Sequence, residues 1–256
     1  MYRENRLPSL ALIGAVTSFA IAGQAQAQTG HERKEGFYLS ATAAADFLND
    51  SDFVGTQNPD PGVPGVAGAP ANVNVGYDTG FAIRGAVGYQ LKQGLISFLK
   101  PRFELEVGYA ESDVSGGSFN GGSQNFDGDL NKLTVTAATY SDVVWSANQK
   151  IIPYIGSGIG IGVVDANISY FPNDGVATAP TFGVQGSRTS LVTFNAIGAT
   201  VKASDKFDIF AEGRYTNVRR RNFDRRFIAG GADGFNALVR DDTESFGVGI
   251  GVRAKF

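Results

Sequence analysis

Phe246-Gly247-Val248-Gly249-Ile250-Gly251-Val252-Arg253-Ala254-Lys255-Phe256 puts an apolar residue at every second position. Such a run is a β-strand with one greasy face, because successive side chains of a strand point to opposite sides. The other face, Ser245, Gly247, Gly249, Gly251, Arg253 and Lys255, is small or charged. In a water-soluble sheet the apolar side would lie on a core and the other side in water. In a transmembrane barrel the apolar side meets lipid and the small or charged side lines the lumen. The remainder of the chain has to choose between the two.

The opposite end supplies the compartment. Arg3 and Arg6 precede an apolar run over 7–23, and Ala25-Gln26-Ala27 forms a small-x-small site. This reads as a signal peptide, 1–27, cleaved before Gln28, with a short periplasmic segment, 28–35, and a barrel domain, 36–256. The chain has no Cys, which removes a disulfide framework, a thiol nucleophile and an acylated lipoprotein N-terminus together. Setting aside Arg3, Glu4 and Arg6 takes the 22 basic and 25 acidic residues to 20 and 24, a balance that gives no signal for nucleic acid.

Eight segments show strand character: 36–47, 79–91, 101–112, 130–144, 152–164, 190–202, 207–216 and the terminal run. The fourth and sixth carry the Thr, Val and Tyr of strands without a clear parity, so their faces stay unassigned. After the odd-numbered strands come long polar or Gly/Pro-rich stretches, 48–78, 113–127, 165–189 and 217–242; after the even-numbered ones come short links, 92–100, 145–151 and 203–206. Short turns on one side and long loops on the other describe an all-β, eight-stranded antiparallel up-and-down transmembrane barrel with both termini on the periplasmic side. A soluble sandwich has no reason to sort its connections this way.

Where parity is clear, aromatics mark both ends of the apolar face: Phe37 and Phe47, Phe81 and Tyr89, Phe103 and Tyr109, Phe207 and Tyr215, Phe246 and Phe256. A tilted strand climbs about 2.5 Å per residue, so these separations cover roughly 15 to 25 Å, the height of a lipid-facing band between two girdles. Trp145 fits the same belt at the turn side.

The run 80–89, GFAIRGAVGY, with 101–109, PRFELEVGY, resembles the second and third strands of the opacity and major surface antigen families. PYIGSGIG at 153–160 resembles the fifth strand in the same OmpA-like transmembrane superfamily, and the terminal run the eighth. A last strand ending in Phe also resembles the signal by which the barrel-assembly machinery recognises outer-membrane barrels, here Phe246, Val248, Ile250, Val252 and Phe256. The resemblance implies an outer-membrane, surface-antigen-like protein of structural and interactive role, a monomer among outer-membrane lipids and lipopolysaccharide, with long loops that present a recognition surface to an external ligand. A narrow porin-like channel for small solutes is the alternative.

Three constellations bear on chemistry. Gly156, Gly158, Gly160 and Gly162 are spaced strictly by two with no Lys-Ser or Lys-Thr after them, so they read as room made for bulky lumen side chains rather than a phosphate loop. The lumen face collects Arg84, Arg102, Glu104, Glu106, Glu212, Arg214, Arg253 and Lys255, and charges inside a narrow barrel are costly unless paired. If Leu91 pairs with Pro101, Arg84 falls opposite Gly108 and beside Glu106, which suggests an ionic plug; a charged constriction of a conducting pore is the other option. Finally, Arg219, Arg220, Arg221, Arg225 and Arg226 crowd the last long loop with Phe223 and Phe227, either as a guanidinium clamp for phosphate or as a solvated loop. No enzyme is expected: His31 is the one His, on the turn side before the first strand, and no catalytic, metal or cofactor site stands out.

Overall fold

The computed structural model describes residues 35–92, 96, 98–146 and 148–256, without the side chain of Arg220. The expected signal peptide and residues 28–34, with His31, lie outside the described residues. The strands are β1 (Gly36–Leu48), β2 (Ser51–Gln57), β3 (Val73–Tyr77), β4 (Gly80–Gln90), β5 (Leu99–Phe119), β6 (Gly122–Val143), β7 (Ile151–Pro172), β8 (Phe182–Lys202), β9 (Phe207–Phe227) and β10 (Gly234–Lys255). All pairings are antiparallel, and β1-β4-β5-β6-β7-β8-β9-β10 closes into a ring through β1 and β10.

β2 and β3 are not extra staves. The register of the first hairpin runs unbroken from Asp46↔Gly80 to Ser51↔Val75, so β2 prolongs β1 and β3 prolongs β4. Higher up, β2 takes over the pairing with β10 and β3 the pairing with β5. The result is an eight-stranded up-and-down barrel whose strands are taller than the sequence segments suggested. At 22 residues, β6 and β7 climb about 55 Å, roughly twice the hydrocarbon band of an outer-membrane barrel.

The wall turns inside out halfway up. In the lower half Leu39, Ile83, Val107, Ile159 and Ile250 point outward and are exposed, while Arg102, Glu106 and Arg253 are buried inside. In the upper half the interior is mostly apolar, formed by Phe53, Val73, Leu130, Val164, Ile168, Val184, Phe223 and Val239 with Arg221, Arg225, Asn236 and Asp241 buried among them, and outward positions carry Asp129, Asn131, Asp165, Asn167 and Arg240. The lower half is built for lipid outside, and the upper half has the sidedness of a water-soluble barrel. Along β7 the switch falls between Val163, which faces out, and Val164, which is fully buried, with no change in pairing register. The aromatics of the expected girdles, from Phe37 and Phe47 to Phe246 and Phe256, all lie on the outer face of the lower half.

The long connections at the loop end are largely wall. Apart from the short breaks at 49–50 and 78–79, what remains free of strand is 58–72, 120–121, 173–181 and 228–233. The sharpest is Asn120-Gly121, whose φ of 47° and 81° make the two-residue hairpin that favours this dipeptide. The Pro-rich first loop is docked on β10: Asp60 N donates to Phe235 O at 3.0 Å and Asn236 Nδ2 to Pro64 O at 2.8 Å.

β2 is held by short seams, four register pairs with β10 and three with β3. Asp241, buried inside, secures it, accepting from Ser51 Oγ at 2.8 Å and Asp52 N at 3.2 Å. Burial, with Asp242 beside it, holds this carboxyl at about 6, above the ordinary carboxylate range, although Ser51, Arg221 and the Asp52 N–H pull the other way. A raised folded-state value stabilises the protonated form, so this contribution is full below about pH 4 and is lost as pH rises through about 6. Amide exchange at 51–57, corrected for intrinsic rates, is expected to show about tenfold less protection at pH 7.5 than at pH 5. Asp241→Asn should remove most of the difference; an unchanged difference would show that Asp241 is not its source.

Candidate functional site

The lumen of the lower half is where the chemistry-bearing side chains converge. Arg84 on β4, Arg102, Glu104 and Glu106 on β5, Glu212 and Arg214 on β9 and Arg253 on β10 all point inward. Alternation alone brings them together, since each is an even step along its strand from a buried neighbour. At the centre Arg214 holds two carboxylates, with Nη1 2.7 Å from Glu106 Oε2 and Nε 2.9 Å from Glu212 Oε1. Arg84 Nη2 reaches Glu212 Oε1 at 3.0 Å. Nearer the turn end Arg102 pairs with Glu104 and, at 3.2 Å, with Asp142, and Asp208 receives Lys255 at 2.7 Å and Arg253 at 3.6 Å.

Arg84 stands opposite Gly108, as the hairpin register requires. Its ion-pair partner, however, is Glu212 and not Glu106. Glu106 is already filled by Arg214, by Tyr140 OH at 2.5 Å and by Thr136 Oγ1 at 3.5 Å, which leaves Arg84 to reach across the lumen.

Aromatic rings fill the space that the charges leave. Tyr38 OH donates to Glu104 at 2.7 Å and Tyr154 OH to Glu212 at 3.1 Å; the Arg102 guanidinium lies 3.9 Å over Tyr140 and that of Arg214 3.8 Å over Phe194. Each ring lies against a glycine of the neighbouring strand. A Cβ on Gly156 would sit 2.1 Å from Tyr140, one on Gly158 2.3 Å from Phe194, and one on Gly198 2.4 Å from Tyr154. The glycines at 156 and 158 are therefore recesses for rings, in line with the reading from their spacing.

Sequence reasoning missed Asp46, Lys132 and Asp142. Lys132 Nζ bonds Asp46 at 2.7 Å and Ser245 at 2.9 Å, a rung above the central cluster. Lys132 and Asp142 sit on β6, whose parity the sequence left open, and the charges at 132 and 142, an even ten residues apart, were the available signal. Directly above, the apolar core of Leu130, Val164, Val192 and Val218 closes the lumen a second time. A void of about 50 Å³ lies between the two closures and one of about 10 Å³ within the ionic cluster. Both are small, on the scale of a few waters.

The five arginines of the last connection do not form one loop surface. All lie on β9, and a bulge between Val218 and Arg221 shifts its parity, so Arg221 and Arg225 turn into the upper lumen while Arg219 stays exposed. Arg221 donates to Thr243 Oγ1, and Arg225 to Tyr170 OH and Asn236 Oδ1 with its guanidinium between Phe119, at 4.1 Å, and Phe182, at 3.9 Å. Burial pushes both guanidinium groups below their ordinary values. Arg226 pairs with Asp233. A five-residue phosphate clamp is thus divided by the wall itself. The residues of the expected assembly signal, Phe246, Val248, Ile250, Val252 and Phe256, are all outward and exposed, and Phe256 N donates to Phe37 O at 3.1 Å.

No protein-family model and no curated protein matches this sequence. Among solved structures, the outer membrane protease OmpT of Escherichia coli superposes with a TM-score of 0.51 at 7% identity, over 86% of this chain and 97% of that one. Neisserial surface protein A aligns over 86% and 97% with a TM-score of 0.44 at 18% identity. Ail, the attachment invasion locus protein of Yersinia pestis, gives 0.35 at 16% identity over 86% and 99%. At these identities the likeness is one of fold: this chain has the architecture of bacterial outer-membrane β-barrels.

Proposed function

We propose that this protein is a non-conducting surface protein of the outer membrane, anchored by the lower half of its barrel, whose upper half stands clear of the bilayer and presents the loop tips. The observation that carries this reading is the inversion of the wall, whose outer face suits lipid around one half and water around the other. Two successive closures of the lumen favour a structural and interactive role over the narrow porin-like channel. No catalytic role is assigned to the lower lumen: among the described residues its carboxylates are held by Arg214, Arg84, Arg102, Lys132, Arg253 and Lys255. Export through the signal peptide, insertion by the barrel-assembly machinery and a monomeric state belong to the same proposal, as does membership of the OmpA-like superfamily.

Planar-bilayer recording is the direct test. Reconstituted protein is expected to show no steady conductance at 1 M salt, together with protease cleavage confined to the loop tips on intact cells. A persistent open channel in the unmodified protein would instead establish the porin reading.

A further inference from the structure

Besides Arg226, which pairs with Asp233, the described residues place three further guanidinium groups at least partly exposed on adjacent strands of the upper half: Arg188 on β8, Arg219 on β9 and Arg240 on β10. Arg188 Nε donates to Asn222 O at 2.7 Å, and Arg240 is the register partner of Asn222 on the other side. Asn222 thus lies between them, bonded on one side by the Arg188 side chain and paired on the other with Arg240. Arg219 lies lower, where its carbonyl accepts from Ser190 Oγ at 2.9 Å. Arg219 and Arg240 are exposed and hold no carboxylate among the described residues. Arg188 pairs with Asp224 at 3.3 Å through one Nη and gives one N–H to Ser187 O, which leaves two of its five donors free. Among nearby acids, Glu244 is bonded by Asn217 at 3.1 Å, Asp242 has a partner of its own, and Asp165 lies a strand further on.

We propose that this triangle binds the phosphorylated head group of a glycolipid of the surrounding leaflet. Height and direction choose that source. Arg219 is four residues above the girdle residue Tyr215 and Arg240 six above Phe246, about 10 to 15 Å beyond the apolar band, where anionic head groups lie. The patch also faces sideways along the membrane, away from the mouth. A ligand seated there is a lateral neighbour of the barrel, and a free polysaccharide would have to wedge between wall and lipid to reach it. Planar guanidinium groups suit bidentate pairing with phosphate oxygens. The inference rests on the outer-membrane reading above.

The test titrates fluorescent lipopolysaccharide, intact or enzymatically dephosphorylated, and in a parallel arm heparin, against detergent-folded barrels. The variants are Arg188→Ser/Arg219→Ser/Arg240→Ser and Arg240→Ser alone, the latter changing a side chain that supports nothing around it. Intact lipopolysaccharide should bind unmodified protein most tightly, with about fivefold weakening for each guanidinium removed at low salt, and the differences should shrink as salt screens them. Equal binding by all three proteins, or by intact and dephosphorylated lipopolysaccharide, would overturn the proposal. Preference for heparin would assign the patch to a free polyanion and overturn it equally. Heat-modifiable migration of every variant, measured alongside, keeps this outcome separate from the membrane reading: a folded, lipid-inserted barrel that ignores phosphate sinks the inference alone.

Discussion

Replacement of Arg214 by alanine is expected to destabilise the folded barrel by about 3 to 5 kcal/mol, the usual penalty for stranding buried carboxylates without their cation. Glu106 and Glu212 both depend on this guanidinium, and the two are not equally exposed to its loss. Glu212 keeps Arg84 and Tyr154, whereas Glu106 keeps the hydroxyls of Tyr140 and Thr136 and loses its nearest cation. Adding Glu106→Gln to Arg214→Ala should therefore restore a good part of the stability, and Glu212→Gln less. Urea midpoints of the heat-modifiable band measure all three. No rescue by either substitution would mean that Arg214 serves as a packed side chain over Phe194, at 3.8 Å, more than as a charge.

The second large effect is steric. Gly156→Val should abolish folding or nearly so, because the first added atom would already stand 2.1 Å from the Tyr140 ring. Overpacking commonly costs about 1 to 3 kcal/mol. Here the displaced ring also carries the bond to Glu106, donates its face to Arg102 and accepts from Arg214 Nη2 at 2.7 Å, so the loss spreads through the central cluster. Shortening the ring should relieve it. In a Tyr140→Ala background, Gly156→Ala is expected to be close to neutral, and an additive penalty in the double variant would show that backbone freedom at 156 matters more than the recess.

These two residues also show what could be read in advance. Strands with a single clear parity, such as β4, β5 and the lower part of β10, disclosed both the fold and seven buried lumen charges, because lipid outside and ions inside leave opposite chemistry on alternate positions. β7 shows why the strands were read too short. Its apolar residues change face between Val163 and Val164, so a period-2 pattern that is continuous in space breaks in the sequence, and the segment seemed to end there. On β9 the obstacle is a bulge: extending the parity of Glu212 and Arg214 would turn position 226 inward, and one inserted residue turns Arg221 and Arg225 inward instead. The hairpin at Asn120-Gly121 was legible as a tight turn and was passed over within a polar stretch. Salt-bridge partners across the lumen, such as Arg84 with Glu212, depend on which carboxylate a third residue has already taken, and no single-strand pattern carries that information.

The inversion of the wall also bears on how the barrel arrives. A chain that reaches its membrane from the side of its turns has to pass the entire upper half through the hydrocarbon before the lower half can settle there. That half carries outward Asp129, Asp165, Arg219 and Arg240, among others, and each charge at mid-bilayer opposes the passage by about 2 to 4 kcal/mol. The finished molecule feels none of this, since those groups end in water. The barrier is one of transit alone: it makes unassisted insertion into intact bilayers slow however stable the product, and it slows departure as well. Thinned or defect-rich membrane lowers the same barrier from either direction, so the speed at which this protein enters a bilayer is set by the half of it that never stays there.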